Sequence, residues 1–270
     1  MQAGQRPGMR PTLCPIPFED RIRLAGAVGY AGIGVTEAEL ARALARHGDR
    51  DLRALLADNG IRHIQIQALR RWWEDDGEWR RSLETMLDCG NRVGAGLVEV
   101  IGDFSAAFIP VGLLSDRFQA VARMSKQAGM VAALEIAAYS SIRSIGMAID
   151  ILGESAGSTA GLLLDSWHCK RLGIDAAAIA ALPKGIVAAV AVADCSPDAL
   201  DDVVTEALDH RLIPGTGTAD IPAFLAALCV TDYDGPIGVE VLSAALRSER
   251  LEDALRGCAE ATRAMLTSRH

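Results

Sequence analysis

Short apolar runs alternate with longer amphipathic stretches along almost the whole chain. The runs predict strands at 12–15, 31–35, 61–69, 97–101, 130–135, 159–165, 186–193 and 237–241. Between them, apolar residues recur at helical spacing and predict helices at 18–28, 37–46, 51–58, 79–88, 115–128, 141–152, 176–182, 222–228 and 249–266. The last helix places Leu251, Leu255, Cys258, Ala261 and Met265 on one stripe. In the third run, Ile64 and Ile66 alternate with His63, Gln65 and Gln67, so one face is apolar and the other polar. If the polar face looks into a barrel, Gln67 lies nearest the C-terminal rim.

Eight strand–helix units predict an α/β fold, a single (β/α)8 TIM barrel spanning 12–270 after a disordered tail at 1–11. An open doubly wound sheet is the rival architecture. It is disfavoured because no G-x-G-x-x-G follows the first strand, and the glycines at 29, 32 and 34 lead into the second. Small aliphatic residues dominate the apolar half of the chain, which suits helices packed on a parallel sheet.

Charge narrows the partners. The 270 residues carry a formal net charge of -8 with no basic block, which argues against a nucleic-acid partner. No apolar run reaches membrane-spanning length, and the first eleven residues lack a signal-peptide core. The six cysteines form no C-x-x-C and no regular framework, as expected of reduced thiols in a cytoplasmic protein. A small-molecule partner is therefore expected, with a homodimer left open.

Three late strands end in a carboxylate: Glu135, Asp165 and Glu240. In a barrel such ends converge on one rim, where active sites are built. Three carboxylates there repel one another and lose hydration, and a divalent cation relieves both effects. His168 follows Asp165 by three residues, with Trp167 between them as a candidate pocket wall. Alternatively, each acid caps the helix that follows it or pairs with an arginine.

Leu134-Glu135, Leu164-Asp165-x-x-His168, Arg211-x-x-Pro214-Gly215-x-Gly217 and Val239-Glu240-Val241 occur in an order that resembles the sugar phosphate isomerase/epimerase group, the xylose isomerase-like TIM barrels. The resemblance implies that Glu135, Asp165 and Glu240 hold a divalent metal ion (Mn, Mg, Co or Zn, with Mn favoured). It also implies that His168 and Arg211 bind substrate. One departure stands out. The group places His or Gln on the seventh strand, three residues before an acid; here the acid is Asp194 and the residue is Ala191. A methyl group cannot bind a metal, which leaves water, Asp194 or His210 to complete the shell.

The resemblance implies a metal-dependent isomerase or epimerase acting on a small sugar-like carbonyl compound. Glu135 and Glu240 would serve as the proton-transfer pair, removing and returning a proton beside the carbonyl. The same start leads to elimination in the group's lyases, such as dehydroshikimate dehydratases. A metal-free small-molecule-binding barrel is the third reading. The group's DNA-repair endonucleases fit poorly, because they need several zinc ions and many histidines, and this chain has five.

Overall fold

A computed structural model describes residues 14–105 and 107–267. Helix α1 (Phe18–Val28) leads into strand β1 (Gly32–Thr36) and helix α2 (Glu37–Asp58). Next come β2 (His63–Leu69), α3 (Glu78–Val93), β3 (Leu97–Val100), α4 (Val111–Gln127), β4 (Val131–Glu135) and α5 (Ile145–Leu152). After a short 3-10 turn the chain continues through β5 (Ala160–Asp165), α6 (Ser166–Leu172), α7 (Ala176–Ala180), β6 (Val187–Val192) and α8 (Val203–Asp209). It ends with α9 (Ile221–Val230), β7 (Ile237–Val239), α10 (Ala244–Arg247) and α11 (Leu251–Thr267).

All seven strands are parallel and pair in sequence order, β1 through β7. They form a nearly closed TIM barrel with the helices outside. The expected first strand at 12–15 falls largely outside the described residues, as does the expected tail, and Cys14 and Pro15 are not in a strand. Among the described residues, β7 and β1 are therefore the two edges of the sheet. Helix α11 crosses this seam: Tyr30 donates its hydroxyl hydrogen to the Leu255 carbonyl at 3.1 Å, and Arg263 donates to the Val28 carbonyl at 2.9 Å.

Local chemistry explains the boundaries. A capping box at Thr36 and Glu39 starts α2, and Gly48 at φ 74° kinks it. That kink accounts for the two shorter helices suggested by the sequence pattern. In α11 the buried stripe runs through Ala254, Cys258, Ala259 and Thr262, while Leu251 and Leu255 turn towards the seam.

Strand alternation sorts the core. Ile64, Ile66, Leu162 and Leu164 pack outward against the helices within the main apolar cluster. Inward positions include Gln65, Gln67, Leu97, Glu99, Leu163, Ala189, Ala191 and Gly238. Barrels usually fill this space with bulky branched side chains. Here alanines and glycines on β6 and β7 leave a cavity of about 860 Å³ that runs along the lumen and the seam to Glu99 and Glu240.

Candidate active site

Strand β5 ends in Asp165, whose carboxylate does two jobs. Its Oδ1 accepts the backbone N–H groups of Trp167 (2.7 Å) and His168 (3.1 Å), which caps α6. Its Oδ2 accepts from Arg211 Nη1 at 2.8 Å. Asp165 is wholly buried and Arg211 is 1% exposed. The helix cap and the arginine pair considered from sequence are thus both present, at the barrel's C-terminal rim.

Arg211 is held from several sides. Its Nε donates to the Ala207 carbonyl near the end of α8 (2.8 Å), and its Nη1 also reaches the Glu240 carbonyl (3.2 Å) and Oε2 (3.5 Å). Nη2 lies 3.2 Å from His168 Nε2. Trp167 lies beneath the guanidinium, 5.0 Å from ring centroid to Cζ, and is wholly buried. Trp167 packs with Ala193, Ala207, Val241 and Leu246 and presents no surface to the cavity. It supports Arg211 instead of forming the exposed pocket wall expected from its position between Asp165 and His168.

His168 is also buried, and its tautomer follows from its neighbours. Nδ1 accepts the Ala138 N–H at 3.1 Å, so in the neutral ring Nε2 carries the hydrogen. Nε2 faces Glu135 Oε1 at 3.7 Å. Burial, and then the Arg211 charge, hold the imidazole well below its ordinary range, so the ring is neutral. Tyr139 and Trp167 meet its ring edge-on, each with centroids 5.0 Å away.

Glu135 closes β4 and is 3% exposed. Burial, followed by the charges of Glu99, Glu240 and Asp165, raises its carboxyl well above the usual range. Burial also raises Asp165, with Arg211 opposing. Arg211 remains protonated: burial works against its charge, and Asp165 and Glu240 more than offset that.

Glu99 was not anticipated. It sits inside the apolar segment Leu97-Val98-Glu99-Val100 on β3, facing the lumen, and accepts a 2.6 Å hydrogen bond from Gln65. The signal was its phase, since Gln65 pairs in register with Leu97 and the inward face of β2 therefore adjoins the inward face carrying Glu99. Burial and the nearby Glu240 push Glu99 up to about 7. The folded protein thus binds this proton more tightly than the unfolded chain does. The resulting stability is complete below the ordinary Glu range and is lost as pH climbs through about 7. Glu99→Gln is expected to shrink the drop in urea midpoint between about pH 5 and about pH 8. An unchanged drop would assign that loss to other groups.

The Pro-Gly-x-Gly segment has a structural explanation. Asp194, just beyond β6, accepts four backbone N–H groups: Cys195 and Ala219 on Oδ1 (2.9 and 2.8 Å), and Gly215 and Gly217 on Oδ2 (both 2.9 Å). A Cβ on Gly217 would lie 2.2 Å from the Cys195 carbonyl oxygen, and Gly215 adopts φ 87°. Asp194 therefore pins the loop that follows Arg211. It is committed there and does not turn to the site, and His210 is an exposed C-cap of α8. Trp72 donates to the Ile101 carbonyl from inside the core, and the cysteines at 169 and 195 are buried free thiols.

The donor set does not fit a divalent ion. Asp165 is divided between a helix cap and Arg211, His168 points a hydrogen from Nε2, and Ala191 stands in register between Asp165 and Gly238. Among the described residues, no three His, Cys, Asp or Glu side chains are grouped to hold a metal.

A parallel barrel with buried acids, an arginine and a histidine at the C-terminal rim defines the class: an α/β barrel built like an enzyme. The family model described as xylose isomerase-like TIM barrel matches residues 22–263, and the chain belongs to that family. It is 28% identical over 238 residues to a 3-dehydroshikimate dehydratase of Pseudomonas aeruginosa. That match covers 85% of this chain and 37% of the relative, so the chain spans little more than a third of that protein's length. In structure it resembles the IOLI protein with a bound zinc atom (TM-score 0.85, 18% identity, 94% of this chain and 95% of that one). It also resembles D-psicose 3-epimerase (TM-score 0.70, 13% identity, 94% of each chain). At these identities the structural likenesses establish the fold. No helix among the described residues is long and apolar enough to cross a membrane.

Proposed function

We propose that this barrel is a lyase that removes water from a cyclic β-hydroxy ketone of the 3-dehydroshikimate type. The observation that carries the reading is the buried cluster of Glu135, His168, Arg211 and Asp165 at the rim, with Glu240 beside it. It joins a carboxylate of raised proton affinity to a fixed cation. The likeness to the Pseudomonas aeruginosa dehydratase supports the choice of lyase over isomerase.

In this mechanism Glu135 takes the proton from the carbon next to the carbonyl. The electron pair moves onto the carbonyl oxygen, where the Arg211 charge and the His168 Nε2–H favour the enolate. As the carbonyl re-forms, the bond from the β carbon to its hydroxyl breaks. A protonated Glu99 gives that hydroxyl a proton, and water leaves. A divalent ion, as carried by some metal-binding neighbours, would supply Lewis acidity; the donor set argues against one here, and no step requires it.

The test is to incubate the protein with 3-dehydroshikimate and follow water loss by mass spectrometry. Turnover with loss of one water supports the lyase. Solvent deuterium entering a ketose without water loss would instead favour the isomerase or epimerase reading. No change in either assay would reject both.

A further inference from the structure

We infer that Arg211, not a divalent metal ion, is the resident cation of this site. The inference concerns the proposed lyase centre and rests on that centre being the reactive one. It starts from charge. Glu99, Glu135 and Asp165 are buried, and Glu240 joins them at the rim. Buried carboxylates need a counter-charge or a proton. Among the described residues, Arg211 is the buried cation that ion-pairs with Asp165 and Glu240.

Two independent features agree. First, Ala191 on β6 faces the lumen with a methyl group and no donor atom, and its register partners are Asp165 and Gly238. The other side chains considered for that place are committed elsewhere: Asp194 binds four backbone N–H groups, and His210 caps α8 on the surface. Second, the guanidinium is anchored independently of the acids. Ala207 accepts from Nε, and the Trp167 ring lies beneath the Cζ. A metal ion on Asp165 Oδ2 would have to displace a cation already held by a carbonyl and an aromatic face.

Arg211 also reaches His168 Nε2, so the resident cation touches the group that faces Glu135. An arginine cannot shed its proton at neutral pH, so it supplies a permanent positive charge for a developing enolate. It remains when chelators remove metals.

The experiment uses the purified full chain, Mn(II) and Zn(II) as probes, and EDTA. Wild type is expected to hold clearly less than stoichiometric metal after dialysis. Its melting midpoint should move by less than about 1 °C with either ion or with EDTA, because a ligand that binds only the folded state must raise that midpoint. Stoichiometric metal or a saturable upward shift overturns the inference. Ala191→His restores a donor in a lumen with room for it, and it too is expected to stay metal-free while Arg211 is present. Tight stoichiometric binding by that variant overturns the assignment to Arg211. Ala191→His combined with Arg211→Met should melt lower than wild type and recover by about 5 °C or more in Mn(II), since the vacated carboxylates then need a cation and the added imidazole completes the donor set. Absence of recovery in the folded variant also overturns it. Should that double variant not fold, the wild-type and Ala191→His measurements decide. None of these measurements uses a substrate, so failure of the lyase reading leaves them intact.

Discussion

Asp165→Ala is expected to lower stability by about 3–5 kcal/mol, the range for removing one partner of a buried ion pair. The loss has two sources. The carboxylate caps α6 through two backbone N–H groups, and losing a cap of this kind costs about 0.5–2 kcal/mol. The larger part is the guanidinium of Arg211, which stays buried against Trp167 with its best acceptor removed. Asp165→Asn separates the two, because its amide oxygen still accepts from the helix N–H groups while the charge is lost. The double variant Asp165→Ala with Arg211→Met should be more stable than the sum of the single losses predicts, since neither charge is then stranded. Urea denaturation measures the four variants, the single Arg211→Met included, against wild type. A loss below about 1.5 kcal/mol for Asp165→Ala would mean that water or another side chain takes over the pairing.

The carboxylate and arginine roles were visible in the sequence to different depths. The fold was legible because apolar runs such as 159–165 end in an acid and are followed by helical spacing. Asp165, Glu135 and Glu240 could be grouped at one rim for the same reason. What the chain did not reveal was which cation meets Asp165, because that pairing joins residues 46 positions apart across three helices and a strand. Trp167 looked like a wall because it sits between two polar site residues. In α6 its side chain turns instead into a small apolar cluster under Arg211. Glu99 was hidden by its neighbours, since one acid in an apolar tetrapeptide looks like a strand interruption until the Gln65 face is paired with it. The kink at Gly48 had the opposite effect, dividing one helix into two in the sequence pattern.

Glu135→Gln is expected to cut turnover of 3-dehydroshikimate by about 10²–10⁴-fold, the usual contribution of a positioned general base. Gln keeps the shape of the side chain and can still face His168, so the site should stay assembled. It cannot accept a proton from carbon. Glu135 is the stronger candidate for the base than Glu240 on two grounds. It is the more buried acid, facing the neutral His168 at 3.7 Å, whereas Glu240 lies partly open on the rim beside Arg211. Its proton affinity is also raised by burial and by neighbouring acids, which brings a carboxylate closer to what removal of a carbon-bound proton demands. The loss should fall on kcat, with KM changing little, because the substitution leaves the charges of Arg211 and Glu240 in place. Solvent deuterium uptake at the α carbon should fall in parallel. Glu99→Gln should retain that uptake while slowing water release. If Glu135→Gln loses less than about tenfold and Glu240→Gln abolishes deuterium uptake, Glu240 is the base instead, and proton removal begins at the cavity-facing rim.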